Sequence, residues 1–83
     1  MTREQFYRVL RKLQACQRRM VGYTTEFRCG TYCKQDGTPA IDFYTSYKEK
    51  FLRSGTITEN DDYNNAAQKV RDFMDYMKQN GWI

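Results

Sequence analysis

Histidine is missing from all 83 residues. That absence removes the commonest general base, the usual activator of a serine or cysteine nucleophile, and the commonest metal ligand. Paired carboxylates remain for acid–base work. Asp61 and Asp62, however, stand just ahead of a helical pattern, where a helix N-terminus favours negative charge, and Asp72 and Asp75 fall on the polar side of that pattern. Capping and solvation account for both pairs. The chain contains neither G-x-x-x-x-G-K-[ST] nor G-x-G-x-x-G, so no backbone cradle for a nucleotide phosphate is expected. The expectation is a non-enzymatic protein with no catalytic residues and no cofactor.

Cys29-x3-Cys33 has the look of half a metal site, but structural zinc needs four ligands from close Cys or His pairs, and Cys16 alone is left to add. If Cys29 and Cys33 share an extended strand, their Cα atoms lie roughly 13 Å apart, beyond the reach of a disulfide, unless Gly30 marks a bulge. Three cysteines in a chain without an export signal are expected to be reduced and structural.

Charge carries the asymmetry. The first nineteen residues hold Arg3, Arg8, Arg11, Lys12, Arg18 and Arg19 against Glu4 alone, a net of +5, whereas the whole chain is +4, so the remaining 64 residues net −1. A local basic stripe is the footprint of a polyanion or of an acidic protein surface. Arginine predominates, and its planar fork suits two-point contacts with phosphate or carboxylate. Tyrosine is the second excess, with seven in the chain. Tyr32 and Tyr44 fall on the sheet face opposite Phe27 and Phe43, where an aromatic ring can stack on a base or anchor a protein interface.

These residues need elements to hold them. Thr2-Arg3-Glu4-Gln5 reads as a capping box, and Phe6, Val9, Leu10, Leu13, Cys16 and Met20 recur at three- and four-residue spacing. They predict an amphipathic helix over about Arg3 to Arg19, with Arg8, Arg11, Lys12, Arg18 and Arg19 on the side opposite the apolar stripe. From Tyr23 the period becomes two, with Tyr23, Thr25, Phe27 and Cys29 alternating with Thr24, Glu26 and Arg28. Lys34 to Thr38 contains Asp36-Gly37, a turn signal, and Ile41, Phe43, Thr45 and Tyr47 resume the alternation, which predicts a hairpin. Between Lys48 and Ile57 two patterns compete, because Phe43, Tyr47 and Phe51 also fit a helix that Gly55 would end. Thr45, Ser46 and Thr56 favour the extended alternative, a third strand over about Lys50 to Thr58. Thr58 to Asp61 offers a second cap, and Tyr63, Ala66, Ala67, Val70, Phe73, Met74 and Met77 make a second helical stripe that Asn80-Gly81 closes. Phe6, Val9, Leu10, Leu13, Phe27, Ile41, Phe43, Val70, Phe73 and Met74 are the expected core.

The result is one α+β domain over residues 1–83, in α-β-β-β-α order, with a three-stranded antiparallel sheet packed against two helices. Cations interrupt the first twenty residues, so no apolar core of a secretory signal can be drawn there, and no apolar run is long enough for a membrane span. A cytoplasmic protein without membrane contact is expected. The element order is similar to that of the double-stranded RNA-binding domain, and Asn65-Ala66-Ala67-Gln68-Lys69 resembles the alanine-rich second helix of that family. That family meets phosphates with lysines at the start of its second helix, whereas Glu59, Asn60, Asp61 and Asp62 stand at that place here. An acidic cluster repels an RNA backbone, so the resemblance implies the topology and not RNA binding at that helix.

The functional expectation is a binding module that docks on nucleic acid, or on the acidic surface of a protein that handles it, through Arg8, Arg11, Lys12, Arg18 and Arg19. The alternative is a small protein-directed inhibitor, of the kind phages use to block host defence complexes, with Tyr32, Tyr44 and the first helix as its interface. A homodimer through Trp82 and the methionines of the second helix remains a third option.

Overall fold

The computed structural model describes residues 1–20 and 25–83. Helix α1 spans Arg3–Arg18, strands β1, β2 and β3 span Thr25–Cys33, Pro39–Tyr47 and Lys50–Thr58, and helix α2 spans Tyr63–Gln79. The strands form one antiparallel sheet in the order β1-β2-β3, so the α+β architecture read from the sequence is the one the chain adopts. Tyr23, expected to open the first strand, lies outside the described residues.

Local chemistry sets most boundaries. The Thr2 hydroxyl accepts from the Gln5 N–H at 3.1 Å while the Gln5 side chain accepts from the Thr2 N–H at 2.9 Å, a complete capping box. At the other end of the chain, Gly81 takes φ +74°, its N–H donates to the Lys78 carbonyl, and the Trp82 N–H donates to the Met77 carbonyl. That pair of bonds is the Schellman closure that only a residue at ease with positive φ allows cheaply. The start of α2 departs from expectation. Its N-cap is Asp62, which accepts from the Asn65 N–H at 3.2 Å, and no acid sits in the first turn. Asp61 instead accepts from the Thr58 N–H at 3.0 Å, which ties the end of β3 to the approach to the helix.

Register runs without a break from Thr25 opposite Tyr47 to Cys33 opposite Pro39, so Gly30 marks no bulge. The irregularity lies between β2 and β3, at Thr45/Ser46. Between β2 and β3 only Lys48 and Glu49 intervene, both at positive φ (51° and 65°). A two-residue turn of this hand matches the twist of the strands but is usually built from Asn-Gly. Its absence from the expected signals explains why Lys48 to Ile57 read ambiguously. Extended structure wins because it sets Gly55 opposite Phe43 and Ile57 opposite Ile41, two pairs that serve the core.

One face of the sheet meets both helices. Phe6, Val9, Leu13 and Cys16 of α1, Phe27, Ile41, Phe43 and Ile57 of the sheet, and Ala66, Val70, Phe73 and Met77 of α2 form one buried cluster. Leu10 and Met74 only lean against it, half-buried, whereas Ile57 and Met77 are closed off completely. Thr45 is also fully buried, and its hydroxyl donates to the Glu26 carbonyl at 3.0 Å, so the polar group is satisfied. Phe73 meets Phe43 edge-on at 5.1 Å between ring centroids and Phe27 at 5.4 Å.

Urea unfolding followed through Trp82, the single tryptophan, tests this packing. Leu13→Ala and Phe73→Ala are each expected to lose about 2–5 kcal/mol. A Cβ built on Gly55 would lie 2.5 Å from the Phe43 ring, whereas one on Gly30 meets nothing within 4 Å. Gly55→Ala should therefore cost about 1–3 kcal/mol while Gly30→Ala does not destabilise. Equal midpoints for the two glycine variants would contradict the β3 register. Replacing Lys48-Glu49 by Asn-Gly should raise stability by about 1 kcal/mol.

Candidate functional site

All five cations assigned to the basic stripe, Arg8, Arg11, Lys12, Arg18 and Arg19, are exposed; Arg11 and Arg18 lie opposite the buried residues of α1, whereas Lys12 and Arg19 stand at the edge of the buried stripe and face α2. Arg8 reaches Glu4 one turn earlier at 3.3 Å, an exposed pair of the weak kind. Among the described residues no ion pair engages Arg11, Lys12, Arg18 or Arg19. Arg3 behaves differently. It is bound to Glu59 ahead of α2, and the Met1 ammonium donates to the Glu59 and Asp61 carbonyls at 2.9 Å each. The two helices therefore begin side by side, and Arg3 belongs to that clasp rather than to the basic stripe. Glu59, Asp61 and Asp62, the acids that set this chain apart from the RNA-binding pattern, are held in the clasp and the caps.

Helix α2 extends the basic surface in a way the sequence reading missed. Lys12, Ala15, Cys16 and Arg19 of α1 face Ala67, Val70, Arg71 and Met74 of α2 across a groove of about 320 Å³. Lys78 also lies on this side, since it and Arg19 both pull on the Cys16 thiol, whose pKa burial nonetheless pushes up. The signal in the sequence is the seven-residue spacing of Arg71 and Lys78, which puts both on one side of α2. It went unread because Asp72 and Asp75 stand among them and cancel their charge in any count along the chain. In space Asp72 separates from them, while Asp75, four residues after Arg71 and three before Lys78, stays on their side of α2. Asp72 lines a different recess, with Arg53, Thr56 and Lys69, between α2 and β3.

Tyr32 and Tyr44 do share the sheet face opposite Phe27 and Phe43, but they do not meet. Tyr44 stands opposite Arg28 and Tyr32 opposite Ala40, four residues along β1, or roughly 13 Å by strand rise. The partner of Tyr44 is Phe51, at 6.2 Å between ring centroids and 61% exposed. Arg28 on the same face is paired with Glu26 at 2.7 Å. Trp82 stacks on Tyr47 at 6.0 Å and meets Tyr76 edge-on at 5.8 Å, and Met77 is buried, so these residues are engaged within the chain.

All three cysteines are free thiols, and the described residues contain no cluster able to hold a metal ion. Cys29 and Cys33 share β1, which keeps them beyond disulfide reach. Burial raises the pKa of Cys16 and of Cys29. No helix of the described chain is long and apolar enough to cross a membrane. No model of a known protein family matches the sequence, and no curated protein is significantly similar to it.

Two measurements test this description. Under native conditions at pH 7 a thiol reagent should modify exposed Cys33 rapidly and Cys16 and Cys29 slowly, because raised pKa values leave little thiolate; denaturant should equalise the three. Three equally fast native thiols would contradict the burial of Cys16. Reversing charge at Arg11 or Arg18 should shift unfolding by less than about 0.5 kcal/mol, as befits exposed positions.

Proposed function

We propose that the protein is a non-enzymatic binding module that docks on an anionic macromolecular partner through the outer surface of its helical layer. One observation carries this reading: Arg11, Lys12, Arg18 and Arg19 stand exposed on one side of α1, with no ion pair among the described residues. Solubility alone does not call for such segregation of like charge. Nucleic acid and the acidic surface of a protein that handles it are the two partners of suitable charge.

A second reading is favoured by the exposed Phe51 beside Tyr44, namely a protein-directed inhibitor that uses the open sheet face. Aromatic residues at the centre of a desolvated patch carry much of the energy of such interfaces.

Salt dependence separates the partners. If duplex DNA is bound and Arg8, Arg11, Lys12, Arg18 and Arg19 all contact phosphate, log affinity should fall with log salt at a slope of roughly −4 to −5, and each charge removed should lower the slope by about one. A protein partner should give a shallower slope and one or two dominant positions. Arg11→Glu combined with Arg18→Glu that leaves binding to the partner from the native host unchanged would sink the basic-face reading. Loss on Phe51→Ser instead would establish the inhibitor reading.

A further inference from the structure

We infer that the groove between α1 and α2 seats an amphipathic, acid-bearing helix of a partner protein. The inference rests on the basic-face reading and names the chemistry of its partner. Lys12, Ala15, Cys16 and Arg19 form one wall at i, i+3, i+4 and i+7, and Ala67, Val70, Arg71 and Met74 form the other at the same spacing. The helices start together at the clasp of Met1, Arg3 and Glu59, so the two stripes run along one another. Ala15 and Ala67 are too small to fill the seam. The floor is apolar: Cys16 and Val70 close it at the bottom, and Ala15 and Met74 remain half-open to solvent. Its rim is cationic on both sides, Lys12 and Arg19 on one wall and Arg71 on the other, and no acid is among the lining residues described.

An apolar floor between two cationic rims selects its occupant. Phosphate oxygens of a duplex would meet the rims but leave the floor unfilled, so nucleic acid makes no use of half the site. A second copy of this chain would bring the same cations against the rims. A helix with apolar side chains on one stripe and Glu or Asp flanking it satisfies both, in the helix-in-groove mode of recognition. The seven residue steps from Lys12 to Arg19, at about 1.5 Å each, make a seat roughly 10 Å long, which takes two turns and two or three apolar anchors.

Fluorescence anisotropy of labelled peptides against the full chain provides the test. One probe is an amphipathic peptide of about 18 residues, long enough to hold a helix, with Leu at i, i+3, i+4 and i+7 repeats and Glu elsewhere. The other has the same composition in scrambled order. The amphipathic peptide should bind at least about tenfold more tightly, and Ala15→Phe or Met74→Glu should weaken it about tenfold, whereas Lys34→Ala, exposed in the turn between β1 and β2, should change it less than about twofold. In the unmodified protein the methyl signals of Val70 and Met74 should shift on titration, a readout that does not depend on any variant folding. Equal binding of both peptides, weakened by Arg11→Glu with Arg18→Glu, would overturn the groove and leave the basic-face reading standing. Binding of duplex DNA but of neither peptide would do the same. No binding to either peptide, to duplex DNA or to any protein of the native host would overturn both.

Discussion

The ring of Phe43 lies over Gly55 on the neighbouring strand and meets Phe73 of α2 edge-on. Three features depend on that contact. Gly55 must stand opposite Phe43, so β3 cannot slip by a residue without turning Ile57 out of the core. The two-residue turn at Lys48-Glu49 must then accept positive φ at residues that rarely adopt it, because register leaves no room for a longer loop. Phe73 in turn sets the rotation of α2, and that rotation decides which of its side chains look toward α1.

Electrostatics follow from the way the helices lie. Both begin at one end, where the Met1 ammonium and Arg3 meet the Glu59 and Asp61 backbone and the Glu59 carboxylate, and where Asp62 caps α2. Their far ends carry Arg18, Arg19 and Lys78 near the negative poles of the helix dipoles. Part of the basic character therefore has a structural use. Arg11, Lys12 and Arg71 lie outside the last turns and have no such use, which is why the outer helical surface, and not its ends alone, reads as a docking face. The open sheet face differs in kind. Its Arg28 is neutralised by Glu26, and its distinctive feature is the Tyr44–Phe51 pair.

Much of this was legible along the chain because it depends on near neighbours. Capping at Thr2 and Gln5, the apolar stripes of both helices, the turn at Gly37, the closure at Gly81 and the exposure of Arg8, Arg11, Lys12, Arg18 and Arg19 are each set within a few residues by helical or strand periodicity. The alternation of Tyr32 and Tyr44 against Phe27 and Phe43 was legible for the same reason. Leu10 and Met74 were placed too deep, because a stripe's width can be read from spacing but its edges are set by what packs against it.

What the sequence determined, then, is which face of each element is apolar, which is charged, and where each element can start and stop. Only the tertiary structure decided what those faces meet. Gly55 reads as a breaker until Phe43 needs its missing side chain. Arg71 disappears into a neutral run until α2 is laid along α1 and its charge joins Lys12 and Arg19 across the groove. The reason is common to both. Periodicity is a property of a single element, whereas adjacency between elements is set by the strand pairing and by the one packing that buries both helical stripes against the same sheet face.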